Sequence, residues 1–77
     1  MSLLDNIDKI HTTEMGVGRI QRNLGIDVDP VEYCILKIKD KDAVIEEKGK
    51  NYYVTVDDCI ITVNKHSFTI ITAHKKK

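Results

Sequence analysis

The chain has 77 residues, 12 basic and 12 acidic side chains, a formal net charge of zero and an apolar fraction of 42%. At this length a chain buries only about 60% of its unfolded surface, so a single α+β domain with one small core is expected over residues 1–77. The charge balance argues against strong non-specific nucleic-acid binding, and no apolar run reaches the roughly 18 residues of a membrane span.

The opening, Met1 to Asp8, is acidic and lacks the basic start and continuous apolar stretch of a signal peptide. A cytoplasmic location is the expectation. Leu3, Ile7 and Ile10 recur at i, i+4, i+7, which predicts a first helix over Ser2–Ile10 with Ser2 as its cap. His11-Thr12-Thr13 interrupts that pattern, because two β-branched residues suit a cap better than a helix interior. A second helix is predicted from about Thr13 to Leu24, burying Val17, Ile20 and Leu24, with Gly25 closing it. The third start signal is the clearest: Asp29 as N-cap, Pro30 at N1 and Glu32 at N3. Val28 and Tyr33 can staple this helix, which runs to about Lys39 with Val31, Cys34, Ile35 and Ile38 inward.

The remainder reads as strands Ala43–Lys48, Asn51–Asp57, Cys59–Asn64 and Ser67–His74. Gly49-Lys50 suits a type II′ turn, Asp57-Asp58 a second two-residue turn, and residues Asn64 to Ser67 the last turn. Pairing Lys48 with Asn51, Val56 with Cys59 and Val63 with Phe68 aligns Ile45, Val54, Ile61 and Ile70 in one row. In this register Glu47, Tyr52, Val63 and Phe68 flank that row on one side, and Ala43, Val56, Cys59 and Thr72 on the other. The expected architecture is two or three N-terminal helices packed on one face of a four-stranded antiparallel meander. The other face then carries Val44, Thr55, Ile60 and Ile71 beside Glu46, Tyr53, Thr62 and Thr69.

Cys34 and Cys59 have no CxxC spacing and read as reduced core thiols, with a disulfide or a metal site as alternatives. His11, His66 and His74 lack the spacing of a metal site, and neither a phosphate-binding loop nor any other cofactor motif occurs; no metal or other cofactor is expected. Arg19 and Arg22 lie three apart on a helix, away from its apolar stripe. Acidic residues end at Asp58, whereas Lys65, His66, His74 and Lys75-Lys76-Lys77 follow, either as a solubilising tail or as a basic edge for phosphate.

Two strings are distinctive as a pair. One is His11 to Gly16 with Arg19-Ile20 and Asn23-Leu24. The other is Ile61 to Asn64 with His66-Ser67 and Thr69 to Lys75. Together they resemble a small family of uncharacterised bacterial proteins, over His11 to Lys75. More remotely, a His opening an Arg-bearing helix, a Gly-Ile step, a second helix and a meander ending in Thr-x-x-Thr-x-His looks like the barnase–colicin–RelE-like superfamily. Its members are small metal-independent ribonucleases, many of them toxins.

That likeness implies RNA cleavage by the RNA's own 2′-hydroxyl, which requires a base, an acid and cations on the developing phosphorane. Its candidates are His11 or His74 as acid/base, and Arg19 and Arg22 as a phosphate clamp. Tyr53, Thr62, Lys65, His66, Thr69 and Thr72 are candidates for contact with RNA or a partner. In the register above, however, Thr72 and His74 share the covered face while Tyr53 and Thr69 lie on the open one. The competing expectation is a non-enzymatic module that grips a protein partner, or a second copy of itself, through the open face, in the manner of an inhibitor or antitoxin.

Overall fold

In the computed structural model, which describes residues 3–75, three helical segments precede a four-stranded antiparallel sheet in the order β1-β2-β3-β4. The first segment, Leu4–Lys9, is a 3-10 helix, closed by bonds such as Asn6 N–H to the Leu3 carbonyl (3.1 Å) and Ile10 N–H to the Ile7 carbonyl (3.3 Å). It is kinked at Asn6 (φ −122°, ψ 26°), a residue type that competes with helical backbone bonding. The expected apolar stripe still faces inward, with Leu3 and Ile10 buried and Ile7 half-buried. The expected Ser2 cap lies outside the described residues.

The break before the next helix is made by sheet bonding. Ile10 turns extended, and His11 docks beside the last strand, donating to the Phe68 carbonyl (3.2 Å) and accepting from Ile70 N–H (2.7 Å). Helix α1 (Glu14–Leu24) then starts at Thr13, whose hydroxyl accepts from Gly16 N–H. It ends where Gly25, at φ +67°, and Ile26 both donate to the Gln21 carbonyl. Helix α2 (Pro30–Ile38) is capped by the Asp29 carboxylate on Val31 N–H at 2.9 Å.

Strands β1 (Val44–Lys48), β2 (Asn51–Val56) and β3 (Cys59–Asn64) pair in the expected register, with Ile45 opposite Val54 and Val54 opposite Ile61. Gly49 at φ +59° allows the first two-residue turn. Asp57 and Asp58, both at positive φ (48° and 66°), form the second as a type I′ pair. On β2 burial alternates strictly, with Tyr52, Val54 and Val56 inward. These side chains meet Ile20 and Leu24 of α1 and Cys34 and Ile38 of α2 in one core. Each fully buried Ile or Val is worth roughly 1.5–3 kcal/mol over exposure. The helices thus cover a single face, α1 over β4 and α2 against α1 and β2.

Strand β4 (Ile70–Lys75) departs from the expected register twice. First, the turn is longer. The Asn64 carboxamide oxygen accepts from the backbone N–H groups of His66 and Ser67, Phe68 N–H returns to the Asn64 carbonyl, and Phe68 takes φ +59°. Asn64 therefore faces Thr69, and Val63 pairs with Ile70 rather than Phe68. Second, Ile71 is an extra residue, because Thr62 pairs with Thr72. The bulge reverses side-chain parity beyond it. Ala73 joins Ile61 on the covered face, while Thr72 and His74 move to the open one. The expectation that Thr72 and His74 sit under the helices is overturned.

Candidate functional site

Two polar groupings emerge, one at the docking edge of β4 and one on the open sheet face. At the edge, the His11 ring is held at both nitrogens. Nδ1 lies 2.9 Å from the Lys9 carbonyl oxygen and Nε2 lies 3.1 Å from the Thr69 hydroxyl. Thr69 Oγ1 is 2.8 Å from Ser67 Oγ, which in turn donates to the Asn64 carboxamide oxygen across 3.2 Å. A carbonyl oxygen accepts only, so Nδ1 donates to Lys9, and the single Thr69 hydroxyl proton points either to Nε2 or to Ser67. Alongside, the Lys9 ammonium lies 5.9 Å from the centre of the Phe68 ring. This chain joins the residue before α1 to the β3–β4 turn. It leaves His11 no free nitrogen for a substrate.

On the open face the central row runs Glu46, Tyr53, Thr62, Thr72, and the row beside it Val44, Thr55, Ile60, His74. Asn51 donates to the Tyr53 hydroxyl at 3.4 Å. Thr62, only 7% exposed, lies between Tyr53 and Thr72 and offers little surface itself. Tyr53, Thr55, Ile60 and Thr72 are half-buried, and Val44 and His74 are exposed. The face therefore alternates hydroxyls with small apolar patches.

The remaining candidates are scattered. His11 neighbours Thr69, and His74 stands five residues further along β4, which at strand rise is about 15 Å away. One phosphate cannot bridge the two. Arg19 and Arg22 are exposed on α1, without an ion pair or hydrogen bond among the described residues. Lys65 is bound by the Glu47 carboxylate; that hydrogen bond, and then the carboxylate's charge, hold its ammonium above the ordinary lysine value. The His66 ring is exposed, and only its backbone N–H is engaged, by Asn64. Cys34 and Cys59 are buried free thiols, and among the described residues no three His, Cys, Asp or Glu side chains form a group able to hold a metal ion.

Asn64 and Ser67 both belong to the His11 chain, although the sequence reading names them only as a turn and within a distinctive string, not as site residues. The signal for them was present: an Asn followed three residues later by Ser in a turn is an Asx-type arrangement that satisfies its own backbone donors. Ile71 carries no comparable signal, since nothing in an Ile-Ile pair marks one of them as the bulge.

The fold and these groupings define a small α+β protein with a helix-covered and an open sheet face. The family model described as "Protein of unknown function (DUF3781)" matches residues 4–74, so the chain belongs to that family. No curated protein and no solved structure gives a match.

Proposed function

We propose that the protein is a non-enzymatic binding module that grips a partner protein through the open face of its sheet, in the manner of an inhibitor or antitoxin. The observation that carries this reading is the β4 bulge at Ile71, which turns Thr72 and His74 onto the face already bearing Tyr53, Thr55 and Ile60. The result is a continuous surface with a hydroxyl centre and apolar borders. Such a surface suits a protein partner better than a phosphate backbone, because on it the Lys48 ammonium is offset by Glu46 at 3.8 Å and the chain's net charge is zero, so no strong positive field results. Distances also speak for binding rather than cleavage: about 15 Å separates His11 from His74 along β4, and the His11 ring is already saturated.

RNA cleavage by the protein is the second reading. Unpaired Arg19 and Arg22 and the acid-free stretch after Asp58 support it. One set of experiments separates the two. A photo-crosslinking residue placed at Thr72 should trap a defined protein in cells. The purified complex should then weaken more than tenfold for Tyr53→Ala and Thr72→Arg. Failure of both variants to weaken it rules out the open face. Cleavage of total RNA in EDTA that disappears in Arg19→Ala or His74→Ala would establish the nuclease reading instead.

A further inference from the structure

A second surface lies on the helical layer, away from the open sheet face. Helix α2 buries Pro30, Cys34 and Ile38, holds Ile35 half-buried against the core, and turns Glu32, Leu36 and the C-cap Lys39 outward, so that Glu32, Ile35, Leu36 and Lys39 follow one stripe at helical spacing. Leu36 is 68% exposed. With Glu32 and Ile35 it lines a shallow depression of about 350 Å³. Glu32 and Lys39 have no ion-pair partner among the described residues, whereas Lys37 on the opposite side of the same helix is paired with Asp57 at 2.7 Å.

The stripe is complementary to itself. Glu32 and Lys39 are equally far from the midpoint between Ile35 and Leu36, one toward each end of the helix. Rotating a second copy by a half-turn about that midpoint lays the two helices antiparallel. Each Glu32 then meets Lys39 of the partner subunit, and each Leu36 faces Ile35 of the partner subunit beside the depression. We propose that this face of α2 is the interface of a homodimer. Both charges are satisfied at once by a second copy, because a foreign helix would need the same acid and base at the same two-turn separation in reverse order. Antiparallel helix dipoles favour the same arrangement. The symmetry is isologous, the commonest among soluble oligomers. At nine residues, α2 is only about 13 Å long. The contact therefore falls below the size of a standard stable interface, and the dimer is a weak one.

Sedimentation equilibrium of the full chain from about 10 μM to about 1 mM, a range suited to a small interface, reads the outcome. A monomer–dimer equilibrium is expected. Glu32→Lys and Lys39→Glu should each weaken it about tenfold, since either change turns two attractive pairs into two repulsive ones. An equimolar mixture of Glu32→Lys and Lys39→Glu chains should recover the affinity as a heterodimer, since every cross pair is again of opposite sign. Leu36→Ser, at a position too exposed to endanger folding, should abolish association. A wild-type mass that stays monomeric up to 1 mM overturns the proposal. So does a dimer indifferent to both charge swaps and to their mixture. Circular dichroism of each variant separates lost association from lost fold.

Discussion

His11 holds Thr69 across 58 residues of chain: the imidazole Nε2 lies 3.1 Å from the threonine hydroxyl while Nδ1 is anchored to the Lys9 carbonyl. Around this side-chain bond, His11 also bonds through its backbone to Phe68 and Ile70, so the segment before α1 is tied to β4. The ring acts here as a clasp between the 3-10 segment and the sheet.

From that clasp it follows that His11→Ala and Thr69→Val should each cost about 0.5–1.5 kcal/mol, the range of a single hydrogen bond. The double variant should lose less than the sum of the two, because they share one bond. Urea denaturation of the four proteins in the cycle checks this. Strictly additive losses would show that the two side chains do not depend on each other.

Parity beyond the bulge gives a sharper contrast. Ala73 is fully buried opposite Ile61, and Thr72 is half-buried opposite Thr62 on the other face. Ala73→Leu should overpack the core and destabilise by about 1–3 kcal/mol. Thr72→Leu, pointing the other way, should stay within about 1 kcal/mol of wild type. A simple hairpin without the bulge gives the opposite ranking, so thermal unfolding of the two variants distinguishes the registers.

That contrast marks how far the sequence could be read. Pairings across β1, β2 and β3 were legible because two-residue turns lock register and one face is aliphatic at every second position, as with Val54 and Ile61. The start of α2 was legible from Asp29 and Pro30, and the break near His11 from its β-branched neighbours. The last hairpin was not, for two local reasons. Asn64 spends its side chain on closing a four-residue loop with Phe68 at positive φ, a conformation that a phenylalanine does not advertise. Thr, Ile and Ala also fit either face of a strand about equally well, so the run from Thr69 to Ala73 cannot report a one-residue slip. The candidate residues fared accordingly. The Thr69 link to His11 was invisible because it depends on docking of a segment that reads as an interhelical break. The move of His74 to the open face depends wholly on the bulge.

The two α1 glycines should respond oppositely to alanine. A Cβ at Gly16 would collide with the Thr12 hydroxyl, which itself donates to the Ile70 carbonyl at 3.1 Å. A Cβ at Gly18 meets nothing within 4 Å. Gly18→Ala should therefore stabilise by up to about 1 kcal/mol through helix propensity. Gly16→Ala should forfeit that gain and lose the Thr12 bond as well, leaving a net destabilisation of about 1 kcal/mol. Thermal melts of both variants, compared with wild type, check the difference in sign.

Burial, assisted by the neighbouring Cys59, pushes the Cys34 thiol from an ordinary 9.0 up to about 12. The native thiol should thus be inert to alkylation at neutral pH and react only when the chain unfolds. The raised value also fixes the sign of a pH effect. The unfolded chain releases this proton first, so the Cys34 contribution is intact below pH 9 and is lost between pH 9 and about 12. The slope approaches about 1.4 kcal/mol per pH unit. Cys34→Ala should flatten this part of the stability–pH curve, and an unchanged slope would assign it to other groups.

The bulge at Ile71 gives β4 one position where length can change without a change of face. In a regular strand, removing a residue turns every later side chain to the opposite face. Here, deleting Ile71 would leave Ile70 opposite Val63, Thr72 opposite Thr62 and Ala73 opposite Ile61 in an unbroken ladder, so Ala73 stays under the helices and Thr72 and His74 stay on the open face. A single codon in β4 therefore sets how the strand bends and twists while the chemistry of the open face is kept. Across the family, the loss of one residue at this point would read as neutral drift in length, whereas a loss further along β4 would exchange the two faces.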